Sequence, residues 1–376
     1  MSSTAPIVVD LAQARALRDR HPMLRDAAIP PARTRASVRS LPLRPEAHGA
    51  PYDPRFAADV LSGLAQVAKS IPSTWLYDRR GSELFEDITQ LHEYYPTRSE
   101  IAILRHCVNA IAEQAGSDAV VVEIGSGSSR KTPLLLAALD SPHAYVPIDI
   151  SAEFLIESVT ELRHRFPGLR MLPLIADFTK PLSLPAELGS APAGARRLVF
   201  FPGSTIGNLS PQQAMQCLSR LAELAGDDGL VLIGADSNRD EQTLLPAYDD
   251  AAGVTAEFNL NLLRRINREL RGNFDLSRFR HLARFDRQHA RMEMHLVSTT
   301  AQQVEVLGRR FQFRAGESIH TENSYKYDAA ALGALARAAG LHRRTAWTDE
   351  TRRFVVHLFD RRGSASAMDS ERTTPA

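Results

Sequence analysis

From residue 54 the chain shows a regular pattern of apolar and polar positions. Phe56, Val60, Leu61, Leu64 and Val67 fall at helical spacing, which predicts an amphipathic helix. Glu83-Leu84-Phe85-Glu86-Asp87-Ile88 continues the pattern, and residues 97–110 give another helix. Two aromatic-rich stretches flank the Glu83 segment and are expected to be loops. They are Trp75-Leu76-Tyr77-Asp78 and Glu93-Tyr94-Tyr95-Pro96-Thr97-Arg98. The period then changes. Ala119-Val120-Val121-Val122-Glu123-Ile124 is a short apolar run stopped by Gly125-Ser126-Gly127. A helix (133–139), a strand (145–148), a helix (152–165) and a strand (170–175) follow, with further strands at 198–201 and 230–234. Ser210-Pro211-Gln212-Gln213 places serine at the N-cap, proline at N1 and glutamine at N3 of the helix before the last of these. Continuous apolar strands alternating with helices predict a parallel sheet covered on both faces.

Residues 240–325 break the alternation. A helix is expected over 259–270 and antiparallel strands over 291–298, 303–307 and 310–313, the last two joined by a tight turn near Gly308. After Tyr327 the alternation resumes, with a helix over 329–339 and strands over 344–347 and 354–359. The expected organisation is an interrupted sheet domain (101–239 plus 326–361) and a smaller α+β substrate domain (51–100 plus 240–325). Residues 1–50, rich in arginine and proline and without Phe, Trp or Tyr, read as a loosely ordered extension, and 362–376 as a flexible tail.

Composition narrows the function classes. Hydrophobic residues make up 44% and charged residues 24%, ordinary for a globular protein. A formal charge of +1 gives no broad footprint for nucleic acid. Two cysteines, Cys107 and Cys217, form no disulfide framework or zinc spacing, and the 12 histidines are scattered, so no metal is expected. No apolar run reaches the length of a membrane span. The first residues lack the basic-then-apolar order of a secretory signal. A cytoplasmic monomer acting on a small molecule is the expectation.

The chemistry centres on Glu123-Ile124-Gly125-Ser126-Gly127-Ser128-Ser129-Arg130-Lys131-Thr132. Glycines at a strand-to-helix turn let a ligand approach the backbone, and the following helix offers free N–H groups. Arg130 stands where a dinucleotide fingerprint has its third glycine, which counts against a nicotinamide cofactor. Asp149 ends the second strand and suits ribose hydroxyls; a helix N-cap is the competing role. Asp177-Phe178 ends the third strand and suits an adenine. Phe200-Phe201-Pro202-Gly203-Ser204-Thr205-Ile206-Gly207-Asn208-Leu209 ends the fourth in small polar residues. These strand ends face one crevice and predict a nucleoside site.

At these residues the chain resembles the histidine-specific methyltransferases of ergothioneine biosynthesis. The resemblance runs from about Trp75 to Leu358. Besides the segments already named, it rests on Gly203-Ser204-Thr205-Ile206-Gly207-Asn208, Tyr248-Asp249-Asp250, Gly253-Val254-Thr255-Ala256, Phe258-Asn259, Ile266-Asn267-Arg268-Glu269-Leu270 and Thr321-Glu322-Asn323-Ser324. It implies an α/β fold of the class I methyltransferase type: a Rossmann-like, mostly parallel sheet with an antiparallel last strand, plus a smaller substrate domain. It implies that Tyr77, Gly125, Gly127, Lys131, Asp149, Asp177 and Phe178 hold S-adenosylmethionine. Tyr94, Gly203, Thr205, Asn208 and Tyr248 would surround the amino and carboxylate end of the substrate. Glu322 and Ser324 would read an imidazole, with Met294 lining the pocket. Tyr77, Asn208 and Tyr248 are the candidate catalytic residues. The implied reaction is methylation of the α-amine of free histidine to the trimethyl state, hercynine. Asn323 and Tyr325 depart from the family pattern, which bears on substrate preference. Another free amino acid such as tryptophan, or a non-catalytic S-adenosylmethionine-binding protein, stay open as alternatives. His320 beside Glu322 reads as structural.

Overall fold

The computed structural model describes residues 7–8, 52–362 and 374–375. Most of the expected extension and tail therefore lies outside the described residues. In chain order the strands are β1 (Ile7–Val8), β2 (Lys69–Ser70), β3 (Val120–Ile124), β4 (Ala144–Asp149), β5 (Arg170–Met171), β6 (Leu174–Ile175), β7 (Arg197–Phe201) and β8 (Leu230–Asp236). Next come β9 (Phe279–Asp286), β10 (Arg291–Ser298), β11 (Gln302–Val306), β12 (Arg309–Phe313), β13 (Ser318–Tyr325), β14 (His342–Thr348), β15 (Phe354–Asp360) and β16 (Thr374–Pro375).

The large sheet runs β1-β6-β4-β3-β7-β8-β15-β14-β16, with β5 beside β4. Strands β6, β4, β3, β7 and β8 are mutually parallel, and β15 inserts antiparallel between β8 and β14. Every residue of β3 and β8 is buried because both faces are covered. Alternation assigns the faces. Val120, Val122 and Ile124 pack with the helices Pro211–Ala225 and Ala329–Ala338, while Ala119 and Val121 pack with Tyr95–Ala115, Thr132–Ala138 and Ala152–Arg165. Chain order reverses at β3, whose neighbours are β4 and β7. That switch point opens a crevice at the carboxyl ends of the strands.

Local signals explain several boundaries. Ser210 caps its helix with the reciprocal Gln213 bond that its sequence predicts. Leu307 and Gly308 both take positive φ, as the tight β11–β12 hairpin requires. The strand expected over 170–175 is broken into β5 and β6 at Leu172-Pro173, where proline lacks a ladder donor.

A second core is built from residues before β3 and after β8. The sheet β2-β13-β10-β9 and the hairpin β11-β12 pack with the helices Pro54–Leu64, Arg79–Gln90, Glu241–Tyr248 and Val254–Glu269. Phe56, Trp75, Phe258, Leu262, Met292 and Leu296 lie inside it.

Several local expectations are corrected. Val67 is fully exposed, because the first helix stops at Leu64 and the chain turns back into β2. Gly63 permits that return: a Cβ there would sit 1.9 Å from the Ser70 carbonyl oxygen. The stretch from Glu93 to Arg98 is not a loop throughout, since the helix Tyr95–Ala115 begins within it and runs across position 100. The helix expected from 259 starts at Val254. Strands β9 and β13 were not anticipated. No helix of the described residues is long and apolar enough to cross a membrane.

Candidate active site

A cavity of about 250 Å³ lies between the carboxyl ends of the parallel strands and the inserted unit. All the residues singled out from the sequence line it: Tyr77, Tyr94, Gly125, Gly127, Lys131, Asp149, Asp177, Phe178, Gly203, Thr205, Asn208, Tyr248, Met294, Glu322 and Ser324. One wall is mostly backbone. Gly125 and Gly127 have φ of 66° and 51°, and a Cβ on Gly127 would meet nothing within 4 Å. The Asp149 carboxylate accepts from the N–H groups of Gly127 and Ser151, each at 2.9 Å. It therefore ties the glycine loop to the start of the helix Ala152–Arg165. Burial raises its pKa, and these backbone donors oppose the rise. Asp177 accepts from the Thr179 backbone at 2.9 Å, and Phe178 stands edge-on to Phe201 with ring centroids 5.5 Å apart. Lys131 forms a 2.5 Å ion pair with fully buried Glu100, which also accepts from the Gly203 N–H at 2.9 Å.

These residues fit a nucleoside sulfonium. The buried Ser126 hydroxyl, on the cavity wall, finds no hydrogen-bond partner among the described residues. The bare face of Gly127 is open to the same space. Two carboxylates and an aromatic ring stand at successive strand ends.

The opposite wall is made of side chains. Glu322 lies on β13 with 8% exposure, and its Oε1 accepts from the Tyr77 hydroxyl at 3.3 Å and the Asn208 amide at 3.2 Å. Burial pushes this carboxyl up to about 8, with Tyr77 and Lys326 pulling the other way. Burial also holds the phenols of Tyr77 and Tyr94 well above their ordinary range, so both stay protonated. The Tyr248 hydroxyl donates to Ser324 Oγ at 2.8 Å, and its ring meets that of Tyr94 edge-on. His320 takes no part: its ring bonds Asn323 and Ser70 instead.

Sequence reasoning missed a buried layer behind this wall. Lys326 and Asp236 are both fully buried and form a 2.7 Å ion pair. Tyr95 donates to both Asp236 oxygens, at 2.8 and 2.7 Å. Glu100 and Glu123 were missed too. Glu123 accepts from Thr132 at 2.6 Å and from Tyr145, and burial pushes it up to about 7. Its position before Gly125 was the one available signal. No cluster of three or more His, Cys, Asp or Glu that could hold a metal occurs among the described residues.

Sheet order, the antiparallel β15 and a glycine-floored nucleoside crevice define a class I methyltransferase that uses S-adenosylmethionine. Residues 56–361 match the family of histidine-specific, S-adenosylmethionine-dependent methyltransferases, and the chain belongs to that family. It is 43% identical to a histidine N-alpha-methyltransferase of Mycobacterium tuberculosis over 305 residues, covering 80% of this chain and 93% of the relative. A Mycolicibacterium smegmatis protein of the same name is 41% identical over the same shares. Ergothioneine biosynthesis protein 1 of Neurospora crassa is 32% identical over 74% of this chain and 32% of its own length.

Proposed function

We propose that this enzyme transfers methyl groups from S-adenosylmethionine to the α-amine of free histidine, up to the trimethylated product that leads to ergothioneine. Methyl transfer from the family's donor supplies an activated methyl group on a sulfonium. The chain then has to align an amine, keep water out and tolerate a growing cation. Gly125, Gly127, Lys131, Asp149, Asp177, Phe178 and Tyr77 hold the donor. The free face of Gly127 and the orphaned Ser126 hydroxyl support that assignment. Tyr94, Gly203, Thr205, Asn208 and Tyr248 hold the amino and carboxylate end. The neutral phenol oxygens of Tyr77 and Tyr94 accept an amine N–H and so aim its lone pair. As methyl groups accumulate, these oxygens and the face of Tyr94 accommodate positive charge, while Tyr248 already carries the Lys326 side chain 4.6 Å from its ring centroid.

The observation that carries the substrate assignment is the pair Glu322 and Ser324 on one edge of the cavity. A carboxylate and a hydroxyl can satisfy both nitrogens of an imidazole. An indole offers the carboxylate an N–H but brings no acceptor ring nitrogen for the hydroxyl, and a phenol brings no ring nitrogen at all. Met294, opposite Glu322 in the β10–β13 ladder, fills the space beside it. We read the protein as a cytoplasmic monomer without a nucleic-acid partner, built as two domains with the inserted unit carrying substrate contacts. Incubation with methyl-labelled donor and a panel of free amino acids tests the proposal. Label should accumulate in histidine as mono-, di- and trimethyl species, with tryptophan and tyrosine near background. Preferred labelling of any other amino acid would overturn it.

A further inference from the structure

Behind the substrate wall, Lys326 Nζ sits among three oxygens. It donates to Asp236 Oδ2 at 2.7 Å, Tyr248 Oη at 2.8 Å and Ser324 Oγ at 2.9 Å. Asp236 is fully buried, and among the described residues its carboxylate is reached, besides Lys326, by neutral donors: the Tyr95 hydroxyl and the Asn238 N–H. A carboxylate in that position requires a cation beside it, since an unpaired buried charge is strongly unfavourable. Burial lowers the Lys326 pKa and Asp236 beside it raises it; paired with that carboxylate Lys326 is an ammonium, with all three protons committed.

Ser324 Oγ accepts from Lys326 and, at 2.8 Å, from the Tyr248 hydroxyl. Both of its lone pairs are occupied, so its own proton is what it has left to offer. Two residues earlier on β13, Glu322 Oε1 already takes Tyr77 and Asn208, so once Glu322 has given up its proton Oε2 is left as an acceptor. The wall therefore presents one donor and one acceptor.

We propose that Lys326 is a positioning residue for substrate recognition, fixing Ser324 as a hydrogen-bond donor so that the site selects a ring carrying both an acceptor nitrogen and an N–H. The inference rests on the imidazole reading of Glu322 and Ser324. A neutral imidazole meets the pattern in one orientation: its lone-pair nitrogen toward Ser324, its N–H toward Glu322. Lys326 acts through the hydroxyls and touches no reacting atom.

The test measures kcat and KM for histidine and two analogues. One carries a pyrrole ring, with an N–H but no acceptor nitrogen. The other carries a nitrogen-linked pyrazole, with an acceptor nitrogen but no N–H. Lys326→Met, and Lys326→Met with Asp236→Asn to remove the unpaired carboxylate, should raise KM for histidine more than they lower kcat. Preference for histidine over the pyrrole analogue should drop on the order of tenfold to a hundredfold, while preference over the pyrazole analogue holds. Ser324→Ala should produce the same loss, and it keeps the inference testable if the lysine variants fail to fold. Unchanged preference over the pyrrole analogue in the lysine variants, or in Ser324→Ala, would overturn the role of Lys326. Glu322→Gln separates the underlying reading: preference over the pyrazole analogue must fall there, and if it does not, the imidazole assignment itself is wrong.

Discussion

Between Gly125 and Asp149 the cavity wall is backbone; between Tyr77 and Lys326 it is side chain. The first wall is made by consecutive strand ends of one sheet, and its shape follows from glycine φ values and from Asp149 gripping two N–H groups. The second gathers Tyr77, Asn208, Tyr248 and Glu322 from four separate segments and sets them on a buried charge pair. Backbone recognition suits a donor shared by many enzymes of one class. Side-chain recognition suits a choice among amino acids, because one exchanged residue changes the pattern of donors and acceptors. The two walls should fail differently.

The largest effect on the donor is expected on the backbone wall. Asp149→Ala removes the carboxylate that ties the Gly127 loop and offers a charged acceptor to ribose hydroxyls. Donor affinity should fall by about 2 kcal/mol, on the order of thirtyfold in Kd by calorimetry. The histidine-to-tryptophan preference should stay where it is. Unchanged donor affinity would reduce Asp149 to a helix-start residue.

A smaller effect is expected where the walls are joined. Gly207 packs on β13 so closely that a Cβ would lie 2.8 Å from the Tyr325 carbonyl oxygen and 3.4 Å from Ser324 Oγ. Gly207→Ala must push the Asn208 turn away from Glu322, at a stability cost of roughly 1–3 kcal/mol. KM for histidine should rise several-fold, with donor Kd little changed. Equal losses of both affinities would mean that the two walls are not separable.

How much of this was legible follows the same division. The glycine loop, Asp149, the continuous apolar strands and the Ser210 cap announce themselves through local pattern and turn chemistry. Strand β13, Ser-Ile-His-Thr-Glu-Asn-Ser-Tyr, has no apolar alternation because the face that carries Glu322 and Ser324 lines a polar cavity. Strand β9 places His281 and Ala283 at core-facing positions, which weakens its signal. Lys326 follows a polar strand and would ordinarily be taken for a solvated residue, since lysine is almost never fully buried unless paired. Its partner Asp236 is 90 residues away in the chain. The resemblance to a known family found Glu322 and Ser324, but did not find what stands behind them.

A further effect concerns stability and its dependence on pH. The folded pKa of Glu322 is about 8, above the ordinary carboxyl value of 4.5. A raised pKa means that the folded state holds a proton which the unfolded state has already lost between those values. The group's contribution is thus fully present below pH 4.5 and declines as pH rises to about 8. Without substrate, Glu322→Gln should melt close to wild type at pH 4.5 and progressively above it, by a few degrees, toward pH 8. A gap that does not widen with pH would mean that the carboxylate is better solvated than its burial indicates.

The central claim, that the side-chain wall chooses histidine, is tested most directly by the ratio of kcat/KM for histidine to kcat/KM for tryptophan in wild type and in Glu322→Ala. The expected result is a fall in that ratio on the order of ten- to a few hundredfold, carried by a higher KM for histidine, with donor affinity nearly intact. An unchanged ratio would contradict the account, because Glu322 would then not read the substrate side chain.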